Sequence, residues 1–201
     1  MRAGLAGGAA MALNSGLVHV SARQVIGRPM LPGDGEEKPL IRVGFLQSPP
    51  GVYREMGWPG KEYDSDASQA LYTRTLEEGA QAQGIILRIQ DARIGDDAGV
   101  NALLESALEE RAAGVLLINM EAQTYGVHGM YHFLKQRGDR RELPLLGFVP
   151  HGTLHHDPSD YEPFRAAPYC FMAASAEIGW LPTGLRMFKA RWQMADTAPR
   201  S

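Results

Sequence analysis

From residue 40 onward, apolar and polar positions alternate between two spacings. Residues 40–47 (LIRVGFLQ) form a short apolar run rich in branched side chains, bounded by Pro39 and by Pro49-Pro50, the pattern of a buried strand. A loop follows (PPGVYREMGWPGKEYDSD), and Asp64, Ser65 and Asp66 offer N-caps for a helix over about residues 67–83. Ala67, Ala70, Leu71, Leu76 and Ala80 recur there at helical spacing, and Gly84 ends the run. Residues 85–90 (IILRIQ) read as a second strand. Asp96-Asp97 start a helix to about residue 113, with Leu103, Leu104, Ala107, Leu108 and Ala112 inside and Gly114 as its cap.

The alternation continues. Residues 115–120 (VLLINM) predict a third strand, residues 126–137 a helix carrying Val127, Met130, Tyr131 and Leu134, and residues 145–149 a fourth strand opened by Pro144. A last helix starts near Pro182 and runs to about Met194, with Leu185, Met187, Phe188 and Trp192 on its inner side. The sheet is expected to span 40–149, with a helical closing segment after it. Strand–helix–strand repetition needs long crossovers, and these are right-handed in a parallel sheet. The fold class is therefore α/β: a Rossmann-like open, mostly parallel sheet of about four or five strands with helices on both faces.

The N-terminus breaks this pattern. Residues 1–22 hold one charge, Arg2, then a small apolar stretch over residues 3–13, too short to span a membrane at about 20 residues. Val20 and Ala22 have the small-residue spacing of a cleavage site. The stretch resembles the later half of a twin-arginine export signal that lacks its arginine pair, so the chain is expected to be exported to the periplasm. A frayed or disordered terminus is the alternative, and with it a cytoplasmic chain. Residues 23–39 are a Pro-, Gly- and charge-rich linker. Two regions follow: 1–38, a signal-like remnant and linker, and 39–201, the α/β domain.

Composition trims the function classes. A formal charge of -3 disfavours nucleic acid, whose binders carry a basic excess. The single cysteine, Cys170, excludes an internal disulfide and a cysteine-pair metal site, and its setting (APYCFMAAS) suits a small buried hydrophobe. The first strand runs into SPPGVYREMG and not a GxGxxG turn, and GxxxxGK[ST] and GxSxG are absent, which disfavours dinucleotide, P-loop and simple esterase readings.

In open α/β sheets, ligands bind beyond the carboxyl ends of the strands. That rule selects Gln47 and Ser48 after the first strand, Asp91 after the second, Asn119 and Glu121 after the third, and His151 after the fourth. These side chains can hydrogen-bond a hydroxyl-rich ligand, although loop polarity and helix capping use the same residue types. HGTLHHD (residues 151–157) gathers three imidazoles and a carboxylate, but Pro150, Gly152 and Pro158 oppose the helix that would align them, so a polar loop is expected and no metal ligand is assigned. His128 and His132 share a helix face at i,i+4 without a third ligand nearby in sequence, which suits a surface pair.

Four segments carry a resemblance: IRVGFLQ, GVLLINME, PLLGFVPHG and CFMAASAEIGWLPTGLRMFKARWQM, the last with a G-[LM]-R-M-[IF]-K-like core at residues 184–189. The layout resembles the N-terminal domain of L-fucose and L-arabinose isomerase-like proteins, with exported relatives, over about residues 40–195. The resemblance implies a first domain, truncated at Ser201, that contributes to a carbohydrate crevice or a subunit interface without a complete active site. It implies a divalent metal such as manganese in the full-length family, held by Glu, Asp and His of later domains. No cofactor is readable from this chain itself. The alternative is a single lobe of an exported sugar-binding protein, and a non-catalytic domain of other role stays open. A small-molecule sugar and a homo-oligomer are compatible with the sequence; nucleic acid and a membrane span are not expected.

Overall fold

The computed structural model describes residues 37–48, 56–57, 61–62, 64–121, 125–150 and 162–197. The leader-like segment, most of the linker and the 151–157 histidine cluster lie outside the described residues.

Strand β1 (Leu40–Leu46) is followed by a short antiparallel pair, β2 (Met56–Gly57) and β3 (Lys61–Glu62). Then come α1 (Ser65–Gln83), β4 (Ile86–Ile89), α2 (Asp97–Glu109), β5 (Gly114–Asn119), α3 (Tyr125–Arg137), β6 (Leu145–Val149), α4 (Glu162–Ala166), β7 (Cys170–Ala174) and α5 (Trp180–Thr197). The main sheet has five strands in the order β4-β1-β5-β6-β7, and every neighbouring pair is parallel. Counted along the chain, the order is 2-1-3-4-5, so the direction of strand addition reverses between β1 and β5.

That reversal dictates the layers. Right-handed crossovers put the helix on the opposite face once the direction changes. Ile41, Val43 and Phe45 of β1 accordingly pack with Tyr72, Leu76 and Ala80 of α1 and with Leu181, Leu185 and Phe188 of α5. On the other face Leu46, Val115 and Leu117 pack with Val100, Leu103 and Ala107 of α2 and Met130 and Phe133 of α3. β5 is buried along its whole length, as a central strand covered on both faces must be.

Three sequence expectations need correction. The sheet does not end at Val149: β7 adds a fifth strand, bonded to β6 from Leu145↔Cys170 to Val149↔Ala174. It is a short edge strand, mostly half-buried, and a five-residue apolar run does not by itself separate strand from helix. Gly114 is not the α2 cap. The helix stops at Glu109, Arg111 turns the chain at φ 52°, and Gly114 opens β5 because the Phe188 ring occupies the space of a side chain there. Leu71 and Met187 are exposed; Tyr72 is the inward residue of α1, its ring edge-on to Phe148 at 5.9 Å.

Candidate functional site

The turning point between β1 and β5 is where an open sheet offers its crevice. Beyond β1 the chain runs into Gln47 and Ser48, and beyond β5 into Met120 and Glu121. Glu121 is 6% exposed, and its carboxylate ties the two strand ends together. Oε2 accepts the Ser48 backbone N–H at 2.9 Å, while Oε1 accepts the Ser48 hydroxyl at 3.0 Å and the Gly126 N–H at 2.8 Å. Asn119, fully buried, accepts the Glu121 N–H through Oδ1 at 3.0 Å. A Cβ on Gly126 would fall 1.8 Å from that oxygen, so only glycine lets α3 start this close to β5.

A cavity of about 660 Å³ lies beside this knot, between the carboxyl ends of β1 and β4 and the first turns of α1 and α2. Gln47 and Ser48 line it from β1, Asp66 and Gln69 from α1, and Gln90, Asp91 and Arg93 from the loop after β4. Ile94, Gly95, Asp96 and Gly99 close the α2 side. This volume is in the range of small-ligand sites, about 300–1,000 Å³. Gln47 is held by its N–H on the Ile94 carbonyl at 3.0 Å and donates from Nε2 to Ser65 Oγ at 3.3 Å. Arg93 is anchored at three nitrogens: Nε on Gln69 Oε1, Nη1 on Ser65 Oγ and Nη2 on Asp66 Oδ1.

Of the six residues selected by the strand-end rule, Gln47, Ser48 and Asp91 share this cavity. Glu121 lies behind Ser48 and positions it, and Asn119 is buried beneath them. His151 lies outside the described residues. Arg93, Gln69, Asp66 and Asp96 are cavity residues that the rule does not select. Arg93 stands two positions after Asp91 in the same loop, so a wider window would have found it. Gln69 sits inside a helix and has no strand-end signal.

A second polar group joins α2 to α3. The Asp97 carboxylate accepts the Tyr125 hydroxyl at 3.0 Å and faces His128 Nε2 and His132 Nδ1, each at 3.3 Å; His132 Nε2 is 2.9 Å from Asn101 Oδ1. The histidine pair therefore has a carboxylate partner, one that is distant in sequence. Burial, helped by the hydrogen bond to Asp97, holds the Tyr125 phenol well above its ordinary ionisation range. Among the described residues, no group of three or more His, Cys, Asp or Glu has the arrangement of a metal site.

Cys170, half-buried, donates weakly from its thiol to the Pro168 carbonyl at 3.6 Å. Burial raises its ionisation above the ordinary thiol value, against a smaller opposing pull from Arg137, so the thiol is a poor nucleophile at neutral pH. Among the described residues, no helix is long and apolar enough to cross a membrane. No family model matches the chain, and no curated protein matches it in sequence.

Proposed function

We propose that this chain is a carbohydrate-binding α/β domain of the sugar-isomerase-like kind, taking a small hydroxylated ligand in the crevice beside β1 and β4. The observation that carries the reading is the lining of that one cavity. Amide, hydroxyl, carboxylate and guanidinium groups converge in it from three separate segments of the chain. A polyol needs donors and acceptors at several angles, and this set supplies both. Asp91, exposed at the rim, can accept from paired hydroxyls, and the Gln69 and Gln90 amides offer both roles. The Glu121–Ser48 knot keeps the β1 end rigid, which lowers the ordering cost of binding. The domain supplies a binding surface, and aldose–ketose chemistry would need residues from elsewhere.

Titration calorimetry of the full chain with a panel of pentoses and 6-deoxyhexoses tests this. Heat is expected from at least one sugar, with binding weakened about tenfold or more in Asp91→Ala, the loss of one charge-assisted hydrogen bond. Incubating the bound aldose with the chain and manganese is expected to give no ketose. Absence of heat with every sugar would end the carbohydrate reading.

A further inference from the structure

We infer that Asp96 is a specificity-determining residue that closes the crevice to phosphorylated ligands. This rests on the reading of the crevice as a site for hydroxylated ligands and names which of them it turns away.

An α/β sheet holds phosphate with the free N–H groups in the first turn of a helix, where the dipole also favours an anion. Among the helices that follow a strand at the carboxyl edge of this sheet, three have a first-turn amide taken by a carboxylate of the chain. Asp64 accepts the Ala67 N–H at 2.9 Å at α1, Asp96 the Gly99 N–H at 2.8 Å at α2, and Glu121 the Gly126 N–H at α3. Of these three carboxylates only Asp96 lines the cavity. Gly95 precedes it and Gly99 stands three residues on, past Asp97, small residues of the kind that let a phosphate approach a helix start, so the α2 terminus has the backbone of an anion site with its own anion installed. The guanidinium in the same cavity does not offset this, because Arg93 spends Nε, Nη1 and Nη2 on Gln69, Ser65 and Asp66. A phosphate entering the crevice meets the Asp66, Asp91 and Asp96 carboxylates, an engaged arginine and an occupied helix terminus.

The experiment uses the full chain and two neutralising variants. Asp96→Gly removes that charge and frees the Gly99 amide, and glycine at an N-cap costs little helix stability. Asp96→Asn removes the charge and keeps a cap. Each protein is titrated with inorganic phosphate, with arabinose and with the phosphate ester of arabinose, and its folding is checked by a cooperative thermal transition. Wild type is expected to give no heat with inorganic phosphate and to bind the ester at least about tenfold more weakly than the neutral pentose, in keeping with repulsion between near-surface charges. Asp96→Gly is expected to gain phosphate binding by about tenfold or more, and Asp96→Asn to gain less. Wild type binding phosphate, or the ester as tightly as arabinose, would overturn the inference, as would no phosphate gain in either folded variant. If arabinose gives no heat with any of the three proteins, the carbohydrate reading loses support, while the inorganic phosphate titrations still decide the role of Asp96.

Discussion

At the scale of single residues, the strand ends are held by a few polar groups with nearly all of their bonding committed. Glu121 receives three donors on two oxygens. Glu121→Gln replaces one oxygen by an NH₂ that must face an N–H or O–H, leaving buried donors unmatched at about 1–3 kcal/mol each. A loss of about 3 kcal/mol in urea unfolding is expected, and a loss below about 0.5 kcal/mol would remove Glu121 from this role. Tyr125 makes a pH prediction. Its phenol ionises above the unfolded value of about 10, so above that pH the unfolded chain gives up a proton that the folded chain keeps. Its contribution is therefore complete at lower pH and declines as pH rises past about 10. Urea midpoints taken from about pH 8 to about pH 11 should fall less steeply in Tyr125→Phe than in wild type. Three of the six residues selected from sequence, Gln47, Ser48 and Asp91, line the cavity, because the strand-end rule is geometric and needs only strand positions. The bonds among the six were not legible in the sequence. That Glu121 would brace Ser48 depends on β1 and β5 being neighbours, and strand order is absent from a one-dimensional pattern.

At the scale of elements, the periodicity located four strands and four helices to within a few residues, because buried strands and amphipathic helices have to repeat with their own spacing. It failed where tertiary contact overrides local pattern. α1 turns Tyr72 inward to Phe148 and leaves Leu71 outside, and β7 is strand by virtue of its bonds to β6. Gly114 is a further case. It looks like a helix cap in sequence, yet it is the place where α5 lies flat on the sheet, with Phe188 Cδ1 2.3 Å from where a Cβ would stand. Gly114→Ala should cost about 1–3 kcal/mol by overpacking. Adding Phe188→Leu should recover part of that loss, giving a favourable coupling of about 0.5 kcal/mol or more in a double-mutant cycle. Additive effects would mean that α5 shifts freely and that the contact does not set its position.

At the scale of the whole described unit, one sheet is shared by two apolar layers, and the crevice lies at the carboxyl ends of β1 and β4, between the start of α1 from one layer and the start of α2 from the other. β1 and β5 contribute alternate side chains to both layers: Val43 and Leu116 to one, Leu46 and Leu117 to the other. Neither layer can lose its packing without loosening strands that the other needs, so the two should melt together. Phe148 belongs to the α1–α5 layer and Phe133 to the α2–α3 layer, and both are fully buried. Phe148→Ala and Phe133→Ala should each cost about 3–5 kcal/mol, the usual range for emptying a core aromatic site. Each variant should still unfold in a single transition, with the same midpoint by far-ultraviolet circular dichroism and by tryptophan fluorescence, to which Trp180 and Trp192 beside the first layer contribute. If Phe133→Ala shifted the dichroism midpoint and left the fluorescence midpoint in place, the layers would be separable. The crevice would then lie on a hinge between them, and the rigid strand ends on which the ligand reading depends would no longer hold.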